Sequence, residues 1–192
     1  MTYAYDLEYY ELMLRNNSTT AKLISRIRWD WVMSVTPRTV LDYGSGVGWF
    51  RAYRPPGVDV FTYDIGAYPQ TGIDFRLYDV VCFWDVLEHI LDFSRIEPVL
   101  ALARFVSITV PIKSPKKDYA SWKHSKPSEH VKIFTESSLD DLLSYYGYKI
   151  TRKGTPECPP REDITSFLYR NTAFRNRRNF PFVSSSLKYR ME

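Results

Sequence analysis

Cysteine is scarce in this chain: two among 192 residues, Cys82 inside an apolar run and Cys158 in a proline-rich stretch. Such a pair gives neither a disulfide framework nor metal-ligand spacing, so no metal site is expected and a reducing, cytoplasmic setting fits. No Gly-Lys-Ser or Gly-Lys-Thr tripeptide occurs, which excludes a phosphate-cradling P-loop. Every apolar run falls short of the ~20 residues of a membrane helix, so no membrane contact is expected. The N-terminus opens with Tyr, Asp and Glu rather than a basic segment and an apolar run, so no secretory leader is expected. There is no internal repeat and no heptad run.

What remains is an ordinary globular composition of 44% hydrophobic residues. The length suits one domain with a substantial core. The aromatic share of 16% is high, and its default use is core packing. Net charge is +4, and the excess gathers near the C-terminus: Arg170, Arg175, Arg177, Arg178, Lys188 and Arg190, opposed by Glu192. A solvated tail explains this better than a nucleic-acid contact, because the charge block is not continuous.

Residues 40–48 read Val-Leu-Asp-Tyr-Gly-Ser-Gly-Val-Gly, and a second acid, Asp64, closes an apolar run sixteen residues after Gly48. Glycine turns freely and lets a ligand approach the backbone. A glycine turn between a strand and a helix exposes backbone N–H groups at the helix start. The second acid is placed to accept hydrogen bonds from ribose hydroxyls. A dinucleotide loop needs Gly-x-Gly-x-x-Gly, but Trp49 stands at the third glycine position. The pattern therefore fits a nucleoside without a pyrophosphate. A glycine-rich turn with no ligand is the plain alternative.

Hydrophobic periodicity predicts helices at 6–15 and 19–35, a strand at 39–43, a short helix ending before Pro55, and a strand at 58–63. Thirteen residues, 65–77, separate Asp64 from the strand at 78–84. That leaves little room for a helix and a strand, so a lost second helix and a vestigial third strand near 73–76 are expected. Ser94-x-x-Glu97 predicts a capped helix at 95–103, followed by a strand at 105–110. Residues 111–133 form a long polar loop, a lid candidate. Thr135 starts a helix at 136–146 that Gly147 ends, and strands follow at 148–153 and about 164–169.

Strands alternating with helices imply a parallel sheet covered on both faces. The segments VLDYGSGVGWF, VFTYDIG, YDVVCFWDVLEHI, FVSITVPI and HVKIFTESSLDDLLSYYGYKI stand in order within 38–152. Together they resemble the class I S-adenosylmethionine-dependent methyltransferases of the small-molecule type, whose fourth strand often ends in Val-Leu-Glu-His. The resemblance implies an α/β, Rossmann-like fold with a mostly parallel seven-stranded sheet, reduced here between the second and fourth strands. One domain is expected over 1–170, with N-terminal helices at 1–36, a core at 37–170 and a basic tail at 171–192.

The resemblance also implies roles. S-adenosylmethionine would be the methyl donor and S-adenosylhomocysteine the product. Gly44, Ser45, Gly46 and Gly48 would meet the methionine part, with Asp42 at its amine. Asp64 would bind the ribose, while Ile65, Asp74 and Phe75 flank the adenine. Trp84 and Asp85 end the strand that faces the reacting methyl in this family. His130 is the proton acceptor suggested for catalysis, with His89 and Asp85 beside it and His124 as a weaker candidate. Glu88 would orient the local backbone.

Three functions compete. The first is methyl transfer to an oxygen or nitrogen of a small molecule, such as a sugar or other metabolite. The second is nucleic-acid methylation using the basic tail. The Asn/Asp-Pro-Pro-aromatic motif of amino-methylating DNA enzymes and the Pro-Cys nucleophile of cytosine enzymes are both missing at the fourth strand. The third is a donor-binding module that has lost catalysis.

Overall fold

A computed structural model describes residues 7–16, 18–66, 73–116, 118–159 and 161–174 of the chain. Within them lie helices α1 (Leu7–Asn16), α2 (Ser18–Val32), α3 (Trp49–Ala52), α4 (Glu97–Leu100) and α5 (Glu136–Tyr145). The strands are β1 (Thr39–Tyr43), β2 (Asp59–Tyr63), β3 (Tyr78–Trp84), β4 (Ala103–Pro111), β5 (Tyr148–Gly154) and β6 (Ile164–Asn171).

The sheet runs β2-β1-β3-β4-β6-β5. β1 through β4 pair in parallel, and β6 is antiparallel to both neighbours. The chain leaves β1 in one direction for β2 and returns on its other side for β3. This reversal is a topological switch point, where open α/β sheets open a crevice beyond the carboxyl ends of their strands. Register places Asp42 beside Cys82 and Tyr43 beside Phe83, so the carboxyl ends of β1 and β3 finish together.

Strand β3 shows why the run Val-Val-Cys-Phe-Trp contains no polar residue. Successive strand side chains point to opposite faces. Val81 and Phe83 enter one core with Ile96, Val99 and Leu100 near α4 and Leu139 and Leu143 of α5. Val80, Cys82 and Trp84 enter the other with Trp29 and Val32 of α2 and Phe50 of α3. A strand covered on both faces must be apolar at every position. Trp29 stacks on Phe50 at 4.1 Å and donates its indole N–H to the Phe50 carbonyl at 2.8 Å, which fastens α2 over the helix that follows the glycine loop.

The fold is the expected one, and some details differ. Six strands are present among the described residues, where seven were expected. Residues 73–76 carry no strand. Residues 67–72 of that segment lie outside the described residues. The helix expected at 95–103 shrinks to α4, preceded by a 3-10 turn at Phe93–Arg95. Asp92 caps the turn, accepting from the Ser94 N–H at 3.0 Å, and α4 itself, with Ile96 at its N-cap, has no side-chain cap, so Ser94 is not the capping side chain. The cap of α5 follows expectation, with Thr135 and Ser138 exchanging side-chain and backbone bonds. The basic tail from residue 175 lies outside the described residues. Among those described, no helix is long and apolar enough to cross a membrane.

Candidate active site

The glycine loop leaves β1 with Gly44, Gly46 and Gly48 all at positive φ, and the Gly44 and Ser45 N–H groups donate to the Tyr63 carbonyl at 2.7 and 3.1 Å. Gly44 is sterically required. A Cβ there would lie 2.5 Å from a methyl of Val86, and its φ of +77° disfavours any side chain. Val86 follows β3, so this contact closes the loop against the neighbouring strand end.

Asp64 ends β2 and is buried. Its carboxylate accepts from the Gly46 N–H at 2.6 Å, the Gly66 N–H at 2.7 Å and the Tyr10 hydroxyl at 2.8 Å. The acid thus organises the loop itself, and α1 contributes the phenol. Asp42 is 1% exposed, and neither of its oxygens has a hydrogen-bond partner among the described residues. Burial pushes its carboxyl up to about 7; Arg28 opposes the rise and Asp64 adds to it. A cation reaching this carboxylate would relieve the cost of leaving it dry.

Ile65 and Phe75 flank the reduced segment and are exposed. Asp74 pairs with Arg76 at 2.8 Å on the surface. Trp84 sits elsewhere than expected: its ring is 6% exposed, packs edge-on against Phe50 at 5.3 Å, and carries Arg28 over its face at 5.1 Å. It belongs to the α2 side of the core rather than to an open cleft.

Asp85 stands at φ +58°, just beyond β3. Its carboxylate is held by two guanidiniums: Arg28 at 2.7 Å, and Arg161 at 2.7 and 3.0 Å. Glu157, 1% exposed, binds the same two arginines, with Arg28 Nε at 2.8 Å. These four side chains tie α2, the end of β3 and the β5–β6 loop together. The paired arginines hold the Asp85 carboxyl below its ordinary range despite burial. A carboxylate so held is a poor proton acceptor, which removes the reason for grouping it with His89 and His130 as a proton carrier.

After Asp85, the 3-10 turn Leu87–His89 turns Glu88 inward, to 2% exposure, and presents His89 to the long loop. Burial, with Asp85 nearby, raises the Glu88 carboxyl to about 8, and burial lowers the His89 imidazole. The loop at 111–133 is anchored at several points. Trp122 is buried, the Lys113 N–H donates to the Phe134 carbonyl at 2.9 Å, and the Lys132 N–H donates to the Glu88 carbonyl at 3.0 Å. It brings the His130 ring to 4.9 Å from that of His89 and 6.3 Å from that of His124.

Sequence reading missed Tyr10, Arg28, Glu157 and Arg161. None stands in a recognisable motif, and Arg28 meets Glu157 across 129 positions of chain.

A doubly covered α/β sheet with a glycine loop and two acids at its switch point is a Rossmann-like architecture of the methyltransferase kind. A family model described as a methyltransferase domain matches residues 15–153, and the chain belongs to that family. No curated protein matches the chain in sequence. Solved structures match its fold. Mitomycin 7-O-methyltransferase superposes with a TM-score of 0.65 at 14% identity, over 85% of this chain and 57% of that one. The chain therefore spans little more than half of that enzyme. Magnesium protoporphyrin IX methyltransferase from Synechocystis PCC 6803, with S-adenosylhomocysteine bound, gives 0.56 at 19% identity, over 79% and 83%. The 1,6-didemethyltoxoflavin-N1-methyltransferase of Burkholderia thailandensis gives 0.57 at 17%, over 81% and 80%.

Proposed function

We propose that this protein transfers the methyl group of S-adenosylmethionine to an oxygen or nitrogen of a small-molecule acceptor, a sugar or other metabolite. One observation carries the reading. Two buried carboxylates stand at neighbouring strand ends of the switch point, Asp64 bound to the glycine loop and Asp42 without a partner among the described residues. A nucleoside carrying an amino-acid ammonium matches both. The names of the mitomycin and toxoflavin enzymes, which share the fold, support a small-molecule acceptor.

In this reading Asp42 attracts the ammonium. Asp64 accepts from the ribose, with Tyr10 yielding its bond. Gly44 gives the room a side chain would fill, and Ser45, Gly46 and Gly48 shape the loop around the methionine part. Ile65 and Phe75 offer apolar surface to the adenine, with Asp74 beside them. The bound donor supplies a methyl on a cationic sulfur. His89 and His130 stand on the acceptor side, where an imidazole can take the acceptor's proton near neutral pH. Positioning alone can contribute ~7–11 kcal/mol to barrier reduction. Asp85 acts on position, holding the cleft walls through Arg28 and Arg161.

The test incubates the full chain with methyl-labelled S-adenosylmethionine and pooled metabolites, then separately with RNA and DNA, and identifies products by mass. The reading expects a metabolite one methyl group heavier, together with S-adenosylhomocysteine. Label on nucleic acid alone would contradict the acceptor class. Donor binding without transfer to any pool would favour a binding module.

A further inference from the structure

Glu88, His89 and His130 present one ligand atom each, all within 4.8 Å of one another. The backbone builds this cluster deliberately from two distant segments. His89 and Glu88 come from the turn after β3. His130 is delivered by the anchored loop, with its own N–H on the Lys126 carbonyl at 2.7 Å.

The rings are also held in a defined way. His89 Nδ1 lies 2.8 Å from the Glu129 carbonyl, and His130 Nδ1 lies 2.9 Å from the His124 carbonyl. A carbonyl can only accept, so each ring carries its proton on Nδ1 and offers the lone pair of Nε2. Metal-binding histidines are oriented in this manner by an outer partner. Between them lies Glu88, whose Oε2 is buried without a hydrogen-bond partner among the described residues. The two arginines nearby are already bound to Asp85 and Glu157. A buried carboxylate oxygen with no donor calls for a cation.

We propose that Glu88, His89 and His130 bind a divalent first-row transition-metal ion, whose open positions take the oxygen of a hydroxylated methyl acceptor. Two imidazoles and one carboxylate suit zinc, manganese or iron better than magnesium or calcium, which prefer all-oxygen sites. Metal–ligand bonds of ~2.0–2.2 Å need the three atoms to close slightly, which side-chain rotation supplies. This assignment rests on the methyl-transfer reading. The ion lowers the pKa of the acceptor hydroxyl, as it does for bound water. The hydroxyl proton passes to solvent and the oxygen attacks the methyl. The O–C bond forms as the C–S bond breaks, and the sulfonium becomes a neutral thioether. His130 then acts as a ligand and not as the proton acceptor.

The test uses the full, tag-free chain, stripped with a chelator. Manganese uptake is followed by the loss of the free-ion paramagnetic resonance signal and zinc uptake by calorimetry. S-adenosylhomocysteine binding is measured in the same samples. One ion per chain at micromolar concentration is expected, with magnesium failing to compete. Glu88→Gln and His130→Gln should each weaken uptake at least ~100-fold while S-adenosylhomocysteine binding persists, which also shows that the variants are folded. A wild-type chain that binds S-adenosylhomocysteine but no manganese or zinc overturns the metal site alone, as does equal uptake by both variants. Metal uptake without any donor binding upholds the metal site and overturns the methyl-transfer reading.

Discussion

The two groups of candidate site residues beyond the strand ends are built by opposite means. The side we assign to the donor comes mainly from two short stretches, 40–48 and 58–66, in which Asp64 is bound by the loop's own backbone while Asp42 stays unpartnered among the described residues. The side we assign to the acceptor gathers Arg28, Asp85, Glu88, His89, His130, Glu157 and Arg161 from four places in the chain. On the donor side, backbone geometry sets the shape. On the acceptor side, long-range charge pairing does. Disrupting one side should therefore leave the other measurably intact.

The largest effect is expected from Gly44→Ala. The added Cβ would meet Val86 at 2.5 Å on a backbone that disfavours it. Overpacking and left-handed strain together should cost about 4 kcal/mol of stability. Calorimetry should find no donor binding, whereas manganese uptake survives in whatever fraction stays folded. Arg28→Met breaks the acceptor side instead. It leaves Glu157 buried with only Arg161, and thermal unfolding should show a loss of about 3 kcal/mol, a fall of ~6–12 °C in Tm. Donor affinity should change only fewfold. Equal loss of donor binding in both variants would contradict the division.

Asp42 sharpens the comparison through pH. Its carboxyl sits raised at about 7, and an ammonium ligand requires the charged form. Donor affinity should therefore rise as pH climbs toward 7, by about tenfold per unit on the acid side. It should fall again as the ligand's α-ammonium deprotonates near ~8. Asp42→Asn should abolish the acid limb in calorimetry at stepped pH. The same raised value means that burial favours the protonated native state. This stabilising term is full below 3.8 and fades as pH rises to about 7 in the ligand-free protein. The smallest expected effect is that of Tyr10→Phe, which removes the phenol competing for Asp64 and should tighten donor binding by about threefold.

The glycine loop and Asp64 were legible because their pattern is local. Glycines at fixed spacing and an acid at a strand end are visible without knowing what packs on them. The strands at 39–43 and 78–84 were legible for the same reason: their apolar runs reflect burial on both faces. The vestigial strand expected near 73–76 is absent from those residues. Trp84 was placed at the cleft by its position at a strand end. Side-chain alternation sends it to the core on the α2 side, and only the register with β1 and α2 reveals that. The bonds of Asp85 and Glu157 to Arg28, that of Asp85 to Arg161, and the joining of His89 to His130 span 41 to 129 positions, for which no local spacing gives a signal.

The central claim is that Asp64 and the glycine loop hold the nucleoside of a methyl donor. Calorimetric titration of S-adenosylhomocysteine into the wild-type chain and Asp64→Ala tests it most directly. One saturable site in the wild type, weakened at least ~10-fold by the loss of a charged acceptor, is the predicted result. No binding at millimolar ligand, or equal affinity in both proteins, would contradict it.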